Sequence, residues 1–490
     1  MNSKKIKIAH VSAEVAPFSK TGGLADVARS LPESLFKLGH DVRIITPLYG
    51  KLIDKDEYGL KIIFKDVNLV VDSENSIKAN FWEGKLNGGL PVYFVEIKKY
   101  FSKHKKVYGS DKENIRFLTF NIAALKLLNL LDFVPDIIQC HDWHSGLIPY
   151  FIKNKSRYTK ILSKTKTIFT IHNLAFQMGK NWFSVPLDKK DYGRKKIPLI
   201  SDPDIANINF AKRAIMSADI INTVSEKYRE EIMTKKFGQD LNRILKNRSS
   251  YLFGIVNGID YDSYNPKNDQ GLFCNFDINS HKLKLENKKF LQKKMGFVPN
   301  LNIPIICSTS RITHQKGFDV ILKLLPYLLR FDVQIIFMGD GNQEYIKEIN
   351  NLNKKFPKKI IWKPFKENQS IETLVYAGSD LFVLPSYYEP CGINQMIAMR
   401  YGCIPIVRET GGLYDTVSNF SPNSKTGTGF TFKYEDEFSF FWAIIRALEN
   451  YKYKNVWNEI IERAMSKSSS WEIPAQKYVK LYRKAIRIKN

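Results

Sequence analysis

KIAHVSAEVAP (residues 7–17), followed two residues later by KTGGLADV (residues 20–27), carries the reading of the fold. An apolar run without strict polar alternation predicts a buried strand of the parallel-sheet kind. Downstream, Leu24, Val27, Ala28, Leu31, Leu35 and Leu38 recur at helical spacing, with Pro32 expected to kink the helix and Gly39 to end it. Strand, short turn and helix in that order open a parallel α/β wind. The turn holds Lys20, Gly22 and Gly23, and a helix N-terminus opened by glycines offers N–H groups and a positive dipole end to an anion. TGGL returns at Thr410–Leu413, again after an apolar strand.

Outward from there the same alternation continues. Strands are expected at KIAHVS, DVRIITP, PVYFVEI, DIIQC, TIFTI, DIINTV and GIVNGI in the first half, and at IPIICST, VQIIFMG, KIIWKPF, DLFVLPS and IPIVRE in the second. Residues 61–90 read as hairpin material around Gly84 and Gly88–Gly89. The polar stretch from Asp262 to Asn302 breaks the pattern and is expected to mark a domain junction. The fold class is therefore α/β, with two doubly wound domains facing each other across a cleft, and ligands are expected at the carboxyl ends of the strands.

Length and composition agree. A chain of 490 residues exceeds one ordinary core, and 44% hydrophobic with 25% charged residues is a globular balance. No run is long enough to cross a bilayer, the N-terminus leaves no room for a signal peptide, and five cysteines without CxxC spacing suit a reducing, cytoplasmic setting. The net charge of +26 could point to an anionic partner. The lysines are scattered, as at Lys105, Lys106, Lys288, Lys289, Lys358 and Lys359, with no arginine stripe or aromatic RNA platform, so neither a nucleic acid nor a membrane is expected as partner.

Seven strand-end loops carry unusual polarity. They are HDWH with Asp142, HNLAFQ with His172, NGID with Asn257, SRITHQKG with Arg311 and Lys316, Asp340–Gly341, YYEPCGINQ with Glu389, and the second TGGL. Each has a plain alternative: a capping histidine, a solvated lysine, a glycine serving a tight turn. His141, Asp142 and His144 lack a further ligand of suitable spacing, and neither glycine turn is a Walker or GxGxxG loop. No metal and no cofactor are expected. Taken together, the loops suit transfer from a diphosphate-activated donor, with Arg311 and Lys316 over the diphosphate.

KTGGLADV, HDWHSGL, HNLAFQ, VNGID, SRITHQKG, PSYYEPCGINQ and RETGGLYDTV resemble, in the same order, the motif series of bacterial and plastid glycogen/starch synthases. The resemblance implies a GT-B fold of two Rossmann-like domains, an ADP-glucose donor, and extension of an α-1,4-glucan acceptor with retention of configuration. It implies an N-terminal starch synthase catalytic domain over residues 1–260, a nucleotide-sugar domain over 261–465, and a C-terminal helix over 466–490 that returns to the first domain. By the same resemblance Lys20, Asp142, His172, Arg311, Lys316 and Glu389 are the catalytic set. Gly22, Gly23, Asn257, Cys391, Gly392, Thr410, Gly411, Gly412 and Leu413 line the substrate site. A homo-oligomer is compatible with it.

The sequence departs from that pattern at Met178 (commonly Gly), Asn394 (often Thr), Thr373–Leu374 (frequently His-Arg) and Glu226 (usually Pro). These positions leave open the nucleotide preference and the acceptor contacts. Another retaining transferase using UDP-glucose, and a non-catalytic glucan-binding relative, stand as alternatives. Retention of all six charged or polar candidates argues against the second.

Overall fold

A computed structural model describes residues 5–488. The chain divides into two compact units, one holding everything up to Ile255 together with the segment from Trp471, the other Val256–Ser470.

The first unit is built on a nine-stranded sheet: β1 (Lys7–Val11), β2 (Asp41–Pro47), β3 (Lys61–Val70), β4 (Ser76–Lys85), β5 (Pro91–Glu96), β6 (Ile137–His141), β7 (Lys166–Ile171), β8 (Ile220–Thr223) and β9 (Leu252–Gly254), in the order β3-β4-β5-β2-β1-β6-β7-β8-β9. Pairing is parallel from β5 through β9 and antiparallel for β3–β4 and β4–β5. The central strands are buried along their length, as covered parallel strands must be, whereas β3 is largely exposed. The first turn of the β3–β4–β5 meander is fixed by Asp72, whose Oδ1 accepts from the N–H groups of Glu74 and Asn75 at 3.0 and 2.9 Å. The second passes through Gly88 and Gly89, both at positive φ. Gly84, expected near a turn, lies inside β4, where a Cβ would meet Leu60 at 2.6 Å.

After β1 comes the helix Gly23–Lys37, which buries Ala25, Val27, Ala28, Leu31 and Leu35 and continues through Pro32. Gly39 ends it at φ 87°, and Leu38, expected on the apolar face, is half exposed. The helix Glu472–Ile486 packs against this helix and against β6 and β7. Its Tyr482 hydroxyl donates to Gln139, and its Tyr478 hydroxyl accepts from Asn222 at 3.0 Å. Its N-cap is Trp471, and Leu481 and Ala485 are buried while Ile486 is not.

The second unit is a six-stranded, all-parallel sheet: β10 (Ile305–Thr309), β11 (Gln334–Met338), β12 (Ile360–Lys363), β13 (Leu381–Leu384), β14 (Ile404–Arg408) and β15 (Phe430–Phe432), in the order β12-β11-β10-β13-β14-β15. The units change over at 255/256 and 470/471, not at 260/261 and 465/466. Residues 262–302 are part of the second unit rather than a junction. Their polar side chains are buried as hydrogen-bonding groups: Asn287 Oδ1 accepts from the N–H groups of Phe273 and Cys274, and Lys284 Nζ donates to the carbonyl of Tyr376 at 3.0 Å and to those of Ala377 and Ser379. Lys288, expected on the surface, is buried, paired with Asp380 at 2.8 Å and donating to the Tyr451 hydroxyl at 2.7 Å.

Candidate functional site

In the first unit the candidates gather around a carboxylate that no motif announces. Glu14 is buried, and it accepts from the N–H of Thr21, from the Thr21 hydroxyl at 2.8 Å, from the Tyr108 hydroxyl and from the N–H of Gly22. Burial pushes its carboxyl up, and these hydrogen bonds pull it back. So the Thr21 and Gly22 N–H groups, expected to face an external anion, already hold one of the chain's own. Lys20 is exposed beside them and pairs with Asp26 at 2.8 Å. Gly22 and Gly23 show no positive φ, and a Cβ on either would meet nothing within 4 Å. The chain's own packing does not require glycine there.

Asp142 follows β6 at φ 55°, ψ −179°, a conformation that L residues rarely adopt. Its Oδ1 accepts from the N–H of His172 at 2.8 Å, which ties the loop after β6 to the loop after β7. Burial pushes its carboxyl up to about 7, with the charge of Glu14 acting in the same direction and the His172 and Asn173 N–H groups opposing both. His172 is half-buried, and its ring bonds to His141 at 2.9 Å. His144 is buried and stacks on Tyr108, with ring centroids 4.8 Å apart. Among the described residues no cluster of His, Cys, Asp and Glu could hold a metal ion.

In the second unit the site is an interlock of loops at the strand ends. Lys316 Nζ is paired with the buried carboxylate of Glu389, which also accepts from the Ser386 hydroxyl at 3.1 Å. Arg311 is exposed, its guanidinium donating to Gln315 at 3.3 Å. The loop after β10 is locked to the one after β11: the Ile312 N–H donates to the Asp340 carbonyl at 3.0 Å, and a Cβ at Gly341 would stand 2.1 Å from the Ile312 carbonyl.

The second TGGL differs physically from the first. Gly411 sits at φ 43°, and its Cβ would stand 1.9 Å from the Glu389 carbonyl oxygen; one at Gly412 would stand 2.1 Å from that of Cys391. The Gly412 N–H donates to Glu389 and that of Leu413 to Thr410, at 3.0 and 3.1 Å. These two N–H groups are therefore engaged within the chain. The turn, with buried Thr410, clamps the Glu389–Cys391 segment. Gly392 turns that segment at φ 70°. Cys391 is buried, which pushes its thiol up to about 12, and it accepts from the N–H of Asn257. Asn257 is itself buried, with its Oδ1 left without a partner.

The starch synthase catalytic domain family matches residues 7–247, and glycosyl transferases group 1 matches residues 292–464. The chain is 38% identical to the glycogen synthase of Geotalea uraniireducens, covering 98% of this chain and 99% of the relative. It is also 38% identical to the glycogen synthase of Thermotoga maritima, with the same coverage.

The chain belongs to the glycogen/starch synthase family.

Its structure superposes on the catalytic domain of starch synthase IV from Arabidopsis thaliana, bound to ADP and acarbose, with TM-score 0.86 and 32% identity over 99% of this chain and 100% of that one. The expected GT-B class of two Rossmann-like parallel sheets is thus the observed one, and the chain is a glycosyltransferase of glycogen synthase type. Among the described residues no helix of this synthase is long and apolar enough to cross a membrane.

The structure brings Asp142 and His172 together in the first unit, and Lys316, Glu389, Cys391, Gly411, Gly412 and Asn257 together in the second. Motif reading missed Glu14, although a lone carboxylate in the apolar run KIAHVSAEVAP was a signal. It missed Arg408 as well, which donates to the carbonyls of Ser386, at 2.7 Å, and Tyr387, and so holds the loop before Glu389. The departures from the family pattern have local partners. Asn394 donates to the Thr309 carbonyl at the end of β10, Glu226 pairs with Lys477 of the C-terminal helix at 3.2 Å, and Met178 packs with Trp182 and Val185.

Proposed function

We propose that this synthase transfers glucose from ADP-glucose to the non-reducing end of an α-1,4-glucan with retention of configuration. The observation that carries the reading is the set of cationic and acidic side chains on the strand-end loops of the second unit: Arg311, and Lys316 paired with Glu389. The likeness to an ADP-bound starch synthase supports adenine as the base. In this reading Arg311 and Lys316 stabilise the negative charge that grows on the departing diphosphate, as fixed cations do best in a preorganised site. Glu389 holds the donor glucose. In the first unit Lys20 faces the donor phosphate and sugar. Asp142 holds the His172 peptide in place and offsets positive charge developing at the anomeric carbon. The experiment is incorporation of labelled glucose into glycogen from ADP-glucose and, separately, from UDP-glucose. Faster incorporation from UDP-glucose would overturn the donor assignment, and none from either would overturn the reading.

A further inference from the structure

Three imidazoles stand in line across neighbouring strands of the first unit. His10 lies in β1, His141 ends β6 and His172 follows β7, and these strands are adjacent and parallel. His10 is in register with Gln139, and His141 with Thr170, so strand alternation puts the line on a single sheet face. Nδ1 of His10 is 3.1 Å from Nε2 of His141, and Nδ1 of His141 is 2.9 Å from Nε2 of His172. The rings run nearly parallel, at 22° and 33°, so the contacts are in-line hydrogen bonds and not a set of nitrogens converging on a metal.

Burial keeps all three rings neutral, pushing His10 and His172 down to about 3. A neutral imidazole has one N–H and one bare nitrogen. Only two proton arrangements then satisfy both contacts: every ring Nδ1–H, or every ring Nε2–H. The far end of the line decides between them. Nε2 of His10 is buried without a partner. The all-Nε2–H arrangement would strand an N–H donor there, the rarer of the two defects in folded proteins; the all-Nδ1–H arrangement strands only an acceptor. The all-Nδ1–H arrangement also puts the outward N–H at Nδ1 of His172, the one half-buried ring of the three.

We propose that His10, acting through His141, is a positioning residue that fixes His172 as the Nδ1–H tautomer, so that this ring presents a hydrogen-bond donor to a substrate oxygen. The link to substrate rests on the function proposed above; the tautomer does not. The test is long-range nitrogen–proton NMR of the full-length protein labelled at histidine, with ADP-glucose kinetics on the same samples. Wild type is expected to show His172 as Nδ1–H. His10→Met, whose Sδ stands near the place of Nδ1 and can accept from Nε2 of His141 but not donate to it, should move His172 toward Nε2–H and lower kcat/KM roughly fivefold, the worth of one ordinary hydrogen bond. His10→Asn, whose amide can donate from nearly the same place, should keep both at their wild-type state. His141→Met puts the same acceptor directly against Nε2 of His172 and repeats the test if His10→Met does not fold. An Nε2–H signal for His172 in wild type, an unchanged tautomer in the Met variants, or unchanged kcat/KM in His10→Met would overturn the proposal. A wild-type protein with Nδ1–H at His172 but no glucosyl transfer would overturn the proposed function and leave the tautomer assignment standing.

Discussion

The two TGGL turns should answer oppositely to the same one-carbon substitution. At Gly411 a Cβ would lie 1.9 Å from the Glu389 carbonyl oxygen, backbone that is itself tied to the Gly412 N–H at 3.0 Å. An ordinary Cβ–oxygen contact needs well over 3 Å, so Gly411→Ala must push the Glu389 segment by roughly an ångström or more, comparable to overpacking at about 1–3 kcal/mol. The positive φ adds about 1 kcal/mol for a side chain in the left-handed region. Together, about 2–4 kcal/mol should lower the Tm of a unit this size by roughly 5–15 °C. Activity should fall further still, because Glu389 moves with its backbone, and a displacement of about 1 Å in a positioned group can cost roughly 100-fold. Gly23→Ala meets nothing within 4 Å and lies in the first turn of a helix, so its Tm should stay level or rise slightly. Differential scanning calorimetry with ADP-glucose kinetics on both variants is the assay. A Gly411→Ala protein with wild-type Tm and turnover would refute the clamp.

Lys20→Ala and Arg311→Ala should each lower kcat/KM at least tenfold, about 1.4 kcal/mol of transition-state stabilisation, and both side chains are exposed enough that Tm should hold. Asp142 titrates near 7, so kcat/KM should rise as pH passes through 7 and its carboxyl ionises, and Asp142→Asn should abolish that limb. Its pKa is raised on folding, so the native state holds the proton longer; stability relative to Asp142→Asn is fullest below about pH 4 and should be lost as pH rises to about 7, read from denaturant midpoints. Ending the chain at Ser470 removes the helix that buries Ala475, Tyr478, Tyr482 and Ala485. At about 1.5–3 kcal/mol for each large side chain, the first unit should lose most of its stability and the protein its activity, and a truncated protein with wild-type turnover would refute this.

The sheets were legible because each covered parallel strand had to be apolar on both faces, and KIAHV, DVRIITP and IPIVR spell that demand out. The short strands β9 and β15 were not. FTF was too brief to stand out, and GIVNGI mixed the end of β9 with the loop that begins the second unit. Turn chemistry was half legible. Gly88 and Gly89 announced themselves, but Asp72 sets the other hairpin through a side-chain bond that composition does not distinguish from ordinary surface polarity.

Polarity misled most where it is buried. The stretch around KLKLENKKFLQKK looks like a solvated linker, yet Lys284 satisfies the last carbonyls of the helix Glu372–Gly378, and Lys288 neutralises Asp380 beneath β10. A lysine can be covered when several acceptors converge on its ammonium, and those acceptors lie some ninety residues away in the chain, where no periodicity test sees them. The same applies to the site. Glu14 and His10 act through partners in other strands or in distant loops, Tyr108 and His141, so their roles become visible only once the sheet has set the strands side by side. Lys20, Arg311 and Glu389 are singled out in the sequence by their motif neighbours, whereas the partners of Glu14 and His10 lie within the chain. Substitution should therefore sort the two classes by readout. Lys20 and Arg311 variants should change kinetics while holding Tm. A Glu14→Gln variant, which leaves the donors of Thr21, Gly22 and Tyr108 around a neutral acceptor, should shift Tm and kinetics together. Wild-type Tm in Glu14→Gln would show that the carboxylate's charge does not hold the KTGG turn.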